Sequence, residues 1–440
     1  MAYKQTTGSI SLKEKKSNTF ITGGITVTDR NISSDAFDRL RVSNPTTLFE
    51  INSIFNKNHS INELISGSGT SVHDASNSYI QMALSDSDTG KVIRQSFEYI
   101  PYQPGKSRFM IFTGVLEVNG GVNGSISRIG SFDSQDDKTA VSCDGNGLFF
   151  ELNGTTIYTV LRNNNVDTKT SQENWNIDTL NGSGPSGYTL NDWSKAYIFT
   201  IEQEWLGIGM VRFGIMINGR LIPVHIIHNT GIGSPSSTSI NKPYTKMAKL
   251  PIRYEIQSTS AVNAEMRMIC CTVLSEGGFE PFGYQFSYIR ESVKTINTTI
   301  LPVLSIKLKE VNDNEYNRTT VLLKSIHILN SNTSNKNAFY KLYILDNKNK
   351  LTGASWTDIN SNSAVQIDIS STAIDLTNAR YSLSGFVNVS NSENFDTGDY
   401  FNSTLLNSSI NGTSRVLSLC CKSISGNIDV YASFDWIEIQ

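Results

Sequence analysis

The sequence of 440 residues has little charge, few cysteines and no long apolar run. Charged residues make up 18% of the chain, against about 25% in typical globular domains. The net charge is −3 and the pI is near 6.0, which argues against bulk packaging of nucleic acid. Because no run of about 18 apolar residues occurs, no membrane insertion is predicted. The polar N-terminus has no apolar segment typical of a signal peptide, so none is predicted.

The five cysteines are too few, and odd in number, for a disulfide framework. Four of them form the adjacent pairs Cys270-Cys271 and Cys420-Cys421, each inside an apolar run. Since neighbours in a strand point to opposite faces, each pair is expected to direct one reduced thiol toward a core. No Cys or His spacing matches a zinc site. The sequence therefore predicts neither a metal site nor another cofactor.

Proline and glycine are distributed unevenly along the chain. All ten prolines lie at or before Pro302, and only five of the 32 glycines follow it. We therefore predict two domains, 46–298 and 299–440. Residues 1–45 precede them; the first 30 are rich in Gly, Ser and Thr and carry a net charge of +3, from five Lys or Arg against two Asp or Glu. This segment is predicted to be an extended N-terminal arm that orders against a partner, or else an unstructured tail.

No amphipathic helix longer than about three turns is recognisable. Ser and Asn are abundant, and both compete with helical backbone hydrogen bonds. Short apolar or alternating runs separated by polar turns dominate both domains. Asn153-Gly154 and Asn218-Gly219 are strong two-residue hairpin signals. The pattern predicts an all-β protein with two antiparallel β-sandwich or jelly-roll domains. The clearest predicted strands are 107–118, 147–152, 155–162, 264–274, 321–329, 339–345, 364–369, 415–421 and 428–439.

Groups that could converge for catalysis are scarce. Glu202 and Glu204 are two apart in a predicted strand and would share a face. This spacing is compatible with the paired carboxylates of a glycosidase, although a solvated strand face is the commoner arrangement. Trp193 and Trp205 are candidate stacking platforms for a sugar, although a core position is the commoner arrangement for Trp205. No catalytic residue is predicted, and the chain is not expected to be an enzyme.

Two runs of sequence resemble a family of virion-associated proteins of tailed phages and some large DNA viruses. They are DAFDRLRVSNPTTLFE (35–50) and KVIRQSFEYIPYQPGKSRFMIFTGVL (91–116). The likeness continues to about residue 256, and it implies a lectin-like, concanavalin-type first domain and a virion structural role. Asp38 departs from the family pattern, which has a small residue there. The residues that carry the resemblance are Phe37, Arg39, Leu40, Arg41, Val42, Ser43, Tyr102, Gln103, Pro104, Gly105, Lys106 and Ser107.

Two main functional hypotheses follow. The first is a non-enzymatic virion structural protein (a minor capsid, vertex, tail or fibre component), made in the host cytoplasm and located in the virion. It would form a homo-oligomer, with a trimer favoured, and bind other virion proteins but no nucleic acid. The alternative is a glycan-binding adhesin for host attachment, and a glycan hydrolase is a weaker third. The residues predicted for the assembly arm are Phe37, Arg39, Leu40, Arg41 and Val42. The residues predicted for glycan contact are Trp193, Glu202, Glu204 and Trp205.

Overall fold

The computed structural model describes residues 44–439 apart from 140–142, 230–241, 281, 313–314, 332–335, 389–391 and 397–404. For residues 5–6, 9–10, 392–396 and 405 it describes the backbone alone. The chain divides into two compact units, Met1–Asn44 and Pro45–Gln440. In the first unit, β1 (Gln5–Thr6) and β2 (Ser9–Ile10) pair antiparallel. The predicted assembly residues Phe37, Arg39, Leu40, Arg41 and Val42 lie outside the described residues.

The Pro45–Gln440 unit begins with a sandwich of two antiparallel sheets. Sheet A has seven strands in the order β12-β11-β10-β9-β16-β7-β4. Sheet B has eight, in the order β15-β14-β13-β8-β17-β6-β5, with β3 also pairing with β17. The strands are β3 (Pro45–Asn52), β4 (Ile61–Gly67), β5 (Thr70–Asp74), β6 (Tyr79–Leu84), β7 (Gly90–Ile100), β8 (Ser107–Val115), β9 (Val122–Phe132), β10 (Gly147–Gly154), β11 (Thr156–Asn163), β12 (Val166–Ser171), β13 (Tyr197–Gln203), β14 (Val211–Ile217), β15 (Arg220–Ile227), β16 (Leu250–Ser258) and β17 (Ala264–Glu276).

Aromatic side chains fill the space between sheets A and B. Phe150 of β10 points inward from sheet A and meets Phe199 and Phe213 of sheet B, with ring centroids 5.1 and 5.3 Å apart. Along β8, buried and half-buried residues alternate, because successive side chains point to opposite faces of the sheet. One face of sheet B therefore forms the core, and the other is left for contacts outside the sandwich.

A second sandwich follows, again of two antiparallel sheets. Sheet C has the order β18-β33-β23-β30, with β19 beside β33 and β31 beside β23; sheet D has the order β26-β27-β20-β32-β24-β29. Short pairs β21-β22 and β25-β28 flank them. The strands are β18 (Tyr284–Ile289), β19 (Lys294–Ile296), β20 (Leu301–Leu308), β21 (Val311–Asn312), β22 (Glu315–Tyr316), β23 (Thr320–Asn330), β24 (Ala338–Leu345), β25 (Leu351–Thr352), β26 (Thr357–Asp358), β27 (Val365–Asp368), β28 (Ala373–Ile374), β29 (Arg380–Val387), β30 (Ser392–Asp396), β31 (Leu405–Leu406), β32 (Val416–Ser423) and β33 (Ile428–Ile439).

The prediction of an all-β fold built from antiparallel sandwiches is confirmed. Within the described ranges, the helical elements are three 3-10 helices of three residues each, Gln135–Asp137, Gln172–Asn174 and Lys348–Lys350. The change from the first pair of sheets to the second falls between β17 and β18. Strands β18 and β19, which precede residue 298, thus pair with β33 of the second sandwich.

One of the two predicted hairpin turns is confirmed and the other is shifted. Ile217 pairs with Arg220, so Asn218 and Gly219 form the turn, with φ angles of 50° and 75°. Positive φ at both central residues is the signature of a type I′ turn. The prediction for Asn153-Gly154 is wrong by one residue, because Asn153 pairs with Thr156 in the ladder.

The two cysteine pairs differ in a way that periodicity did not predict. Cys271 is buried and Cys270 is half-exposed, as expected for neighbours on opposite faces of a strand. Cys420 and Cys421 are both buried, so the expectation of one core-facing thiol is wrong for this pair. Sheet D is covered on both sides there: Cys421 lies in the core between sheets C and D, and Cys420 packs in a smaller apolar cluster with Tyr343.

The two sandwiches meet through a buried polar interface within the Pro45–Gln440 unit. Arg318, just before β23, donates from Nη2 to Asp133 Oδ2 at 2.9 Å, and both side chains are almost fully buried. Lys249, just before β16, donates from Nζ to the carbonyl of Ile439 at 2.6 Å. If either sandwich moved, these contacts would break, and each broken contact would leave a buried polar group without a partner. Such movement is therefore unfavourable. The interface therefore fixes one sandwich against the other.

Candidate functional site

The outer face of sheet B presents an ordered array of half-buried side chains. Strands β13, β8 and β17 lie side by side in it, and β3 continues the array beside β17. Because paired residues of antiparallel strands point to the same face, the register defines cross-strand rows. The rows are Glu202–Phe109–Leu274, Thr200–Ile111–Thr272–Glu50 and Ile198–Thr113–Cys270–Asn52.

A groove of about 240 Å³ opens on this face. It lies where two strands share one neighbour: β6 pairs with β17 as far as Met268, and β3 pairs with it from Cys270 onward. The register of β17 against β8 shifts between Met268 and Cys270, where the pairing with β6 ends and the pairing with β3 begins. The groove is lined by Glu50, Ile51, Asn52, Ile111, Thr113, Cys270, Cys271 and Thr272.

The groove combines an apolar centre with polar groups around it. Ile111 and Thr113 from β8 are half-buried, whereas Glu50 and Asn52 from β3 are exposed. A carboxylate, an amide and hydroxyls supply both donors and acceptors. A small concave surface with a few polar groups around apolar atoms suits a hydroxylated ligand such as a sugar ring.

The predicted pair Glu202 and Glu204 lies at one end of the array, with Glu202 in β13 and Glu204 just after its last residue. Glu202 accepts a hydrogen bond from Arg212 Nη1 at 2.6 Å. Burial raises the pKa of Glu202, and Glu276 and Glu204 add to this effect while the Arg212 charge opposes it. Glu204 is exposed beyond the end of β13. The Glu202 carboxylate is thus the partner of a guanidinium, in the row next to those that line the groove.

The two predicted tryptophans do not form an exposed sugar platform. Trp193 is only 2% exposed and packs edge-on to Tyr197, with centroids 5.8 Å apart, so its prediction as an exposed aromatic is wrong. The loop before β13 folds its indole into the core of the first sandwich. Trp205 is half-buried and donates from Nε1 to Thr245 Oγ1 at 3.1 Å. Its ring packs edge-on against Tyr102, with ring centroids 5.8 Å apart.

A Ser, His and Asp cluster on sheet C lacks the geometry of a hydrolase triad. His327 Nε2 lies 3.0 Å from Asp435 Oδ2 and 3.1 Å from Ser325 Oγ. In a triad the two partners contact opposite ring nitrogens, so that the proton passes through the imidazole. Here one nitrogen contacts both partners, which makes the cluster a surface hydrogen-bond group.

No group of three or more His, Cys, Asp or Glu that could hold a metal ion occurs in the part of the chain that the structure describes. Over the same part, no helix has the length and apolar character needed to cross a membrane.

The sequence matches no protein-family model and no curated protein sequence. Solved structures that are similar to part of this chain include the following three. Peanut lectin is 11% identical and covers 53% of this chain and 97% of its own, with a TM-score of 0.32. The endo-beta-1,4-glucuronan lyase of the fungus Trichoderma reesei is 12% identical, with coverages of 53% and 97% and a TM-score of 0.33. The carbohydrate recognition domain of Emp47p is 12% identical, with coverages of 56% and 100% and a TM-score of 0.32.

Sequence reasoning did not find the groove. Alternation along 107–118 and 264–274 predicted that both segments are strands. The sequence also indicated that Cys270 and Cys271 face opposite sides of their strand. The neighbours Glu50 and Asn52 come from more than 200 residues earlier in the chain. Only the strand register brings them together.

Proposed function

We propose that this protein is a non-enzymatic structural component of a virion that assembles through its N-terminal arm and through faces of its sandwiches. The observation that supports this most strongly is the apolar character of the two edge strands β18 and β29. Tyr284 and Ile289 on β18, and Tyr381 and Phe386 on β29, are each more than half exposed. Exposed apolar edges promote association unless a partner covers them. We infer that further copies of the chain, as a trimer, or other virion proteins cover them.

Three further observations support this proposal. The resemblance of residues 35–50 and 91–116 is to virion-associated proteins. The fixed interface between the sandwiches gives a block that can present several faces in a constant arrangement. The pairing of Glu202 with Arg212 leaves that carboxylate in a structural contact, which favours a non-enzymatic role.

Removal of residues 1–44 is expected to convert the oligomer into a monomer. Assembly arms contribute backbone hydrogen bonds and contact area on a neighbouring subunit, so their loss should abolish association and leave the Pro45–Gln440 unit folded. Light scattering after size exclusion over a concentration series measures the mass, and thermal unfolding checks the fold. A truncated chain that assembles like the full chain would contradict the role of the arm.

The edge strands are tested by a matched pair of variants within the same experiment. Phe386→Ser on β29 should lower the mass of the full chain at a given concentration, because it removes exposed apolar surface. Phe55→Ser, at an exposed phenylalanine in the loop between β3 and β4, is the control and should leave the mass unchanged.

A glycan-binding role for the groove on sheet B is the second proposal, and it is compatible with the first. It is supported by the apolar Ile111 flanked by the polar side chains of Glu50, Asn52, Thr113 and Thr272. The groove replaces the predicted tryptophans as the candidate contact. In a virion this site would attach the particle to host surface glycans.

Glycan binding in the groove is expected to protect one thiol. Of the five cysteines, Cys270 alone is half-exposed and the others are buried, so a thiol reagent such as DTNB reports on the groove. A glycan selected on an array should slow the modification of Cys270 severalfold. Asn52→Ala should weaken binding about tenfold, which corresponds to one or two lost hydrogen bonds.

The control is Asn174→Ala, which removes an exposed amide on the other side of the first sandwich. It should leave both affinity and thiol protection unchanged. An array with no signal above background, or a bound glycan that leaves Cys270 fully reactive, would rule out this site.

A further inference from the structure

A cleft opens where the edge of sheet A faces the second sandwich. It consists of two adjoining cavities of about 450 and 500 Å³ that share Glu63, Phe97 and Asp346. The first sandwich contributes strands β4 and β7, and the second contributes the turn after β24, the start of β29 and the loop before β32. Clefts between packed domains are frequent binding sites, because two walls can surround one ligand.

The charges of this cleft do not balance. Four cations line it, Lys57, Arg94, Arg380 and Arg415, against two anions, Glu63 and Asp346, which leaves an excess of two positive charges. Glu63 is already shared, since it pairs with Lys57 at 2.9 Å and also with Arg94. One unit of the excess therefore lies at Lys57 and Arg94, and the other lies at Arg380 and Arg415, near Asp346.

Arg415 is the most unusual of these cations. It is only 6% exposed and forms no ion pair with any described residue. Its guanidinium lies 4.2 Å from the centroid of Phe97, Nη1 donates to Asn407 Oδ1 at 3.3 Å, and no described residue accepts from Nε. Burial and the nearby Arg380 lower the pKa of Arg415 to about 10, although Asp346 opposes them. At neutral pH this site therefore holds a charged, poorly solvated cation.

A buried cation without an anionic partner is unfavourable, and an entering anion would relieve this penalty. Guanidinium groups bind carboxylate, sulfate and phosphate oxygens through paired hydrogen bonds. Amide side chains from both sandwiches, among them Asn62 and Asn347, line the same cleft and can bond hydroxyl groups. Half-buried Phe97 adds an apolar surface between them.

We propose that the cleft between the sandwiches binds an acidic saccharide, with its carboxylate or sulfate group held between Arg380 and Arg415. This site is separate from the groove on sheet B, and it stands whether or not the groove binds glycans. It gives the second sandwich a recognition role, since Arg380 and Arg415 both belong to it.

Calorimetric titration of the full chain tests this proposal. The probes are 3′-sialyllactose, a sulfated disaccharide derived from heparin, lactose and inorganic sulfate. At least one acidic sugar should bind, lactose should not, and affinity should fall as salt is raised. Arg380→Gln should weaken binding tenfold or more, as expected for the loss of a charge-assisted hydrogen bond. Arg220→Gln, at an exposed arginine of β15, should not weaken it.

Three results would overturn the proposal. The first is the absence of binding by either acidic sugar at millimolar concentration. The second is affinity unchanged by Arg380→Gln and by Arg415→Gln, with thermal unfolding verifying that both variants are folded. The third is equal affinity for inorganic sulfate and the acidic sugars, which would exclude a saccharide. Protection of Cys270 distinguishes the two sites, because a ligand in the cleft should leave this thiol reactive.

Discussion

Replacement of Asp133 by alanine is expected to lower the free energy of unfolding by about 3–5 kcal/mol. Asp133 is fully enclosed at the interface of the sandwiches, where Arg318 donates to its Oδ2 from both Nε and Nη2. Its Oδ1 accepts from the backbone N–H of Asn146 at 2.9 Å. Removal of the carboxylate leaves the Arg318 charge buried without a counterion, which is far less favourable than the loss of an exposed ion pair.

An exposed ion pair between the same two sandwiches provides the control. Lys246 pairs with Glu315 at 2.7 Å, and both side chains are well exposed. Glu315→Gln should lower the free energy of unfolding by less than about 1 kcal/mol. The double variant Asp133→Leu with Arg318→Met should recover much of the loss, because it removes both buried charges. Urea unfolding of the wild type, the two single variants and the double variant measures these free energies. Equal losses of stability in Asp133→Ala and Glu315→Gln would contradict the stabilising role of the buried ion pair.

Replacement of Lys249 by methionine is expected to stabilise the protein at pH 7 by roughly 1–3 kcal/mol, because removal of the buried charge outweighs the loss of its hydrogen bond to the Ile439 carbonyl. Burial lowers the pKa of Lys249 to about 7, although the charge of Glu98 opposes it. In the unfolded chain the pKa is about 10.4. Between these values the unfolded state binds more protons than the folded state, so the contribution of Lys249 to stability rises with pH.

The measurement compares urea unfolding of the wild type and Lys249→Met from pH 7 to 8.5. The advantage of the variant should shrink by about 1.5 kcal/mol over this range. Buried thiols act in the opposite direction at higher pH, because burial raises the pKa of Cys143 to about 11 and that of Cys420 to about 12. They are common to both proteins and cancel in the difference. Lys195→Met, at an exposed lysine, is the control. A difference in unfolding free energy between the wild type and Lys249→Met that stays constant with pH would contradict the lowered pKa of Lys249.

The strands themselves could be predicted because their signal is local. In the predicted strand 428–439, Ile428, Val430 and Phe434 stand at alternate positions of the sequence, and all three are buried in β33. A period of two requires no knowledge of the partner strand. The same logic placed Cys270 and Cys271 on opposite faces. Cys420 and Cys421 also lie on opposite faces, but both are buried, because coverage of the second face of sheet D depends on distant residues.

The candidate sites could not be predicted in the same way. Trp193 was predicted as a stacking platform because a sugar site needs an aromatic face beside polar side chains. No local pattern shows which way the loop that carries it folds. Arg94 and Arg415 reach one cleft from two different sandwiches. Their proximity depends on how the two sandwiches pack against each other. Neither strand periodicity nor spacing in the sequence predicts that packing.

The central place of β33 in sheet C has a consequence for synthesis on the ribosome. The first sandwich is complete once Glu276 has emerged, whereas β18, β19 and β23 all pair with β33. At roughly 5–20 residues per second, the interval between Ile289 and Ile428 lasts on the order of ten seconds. During that time the apolar face of β18 has no partner strand, and a nascent chain is then most exposed to misassembly with its neighbours on a polysome.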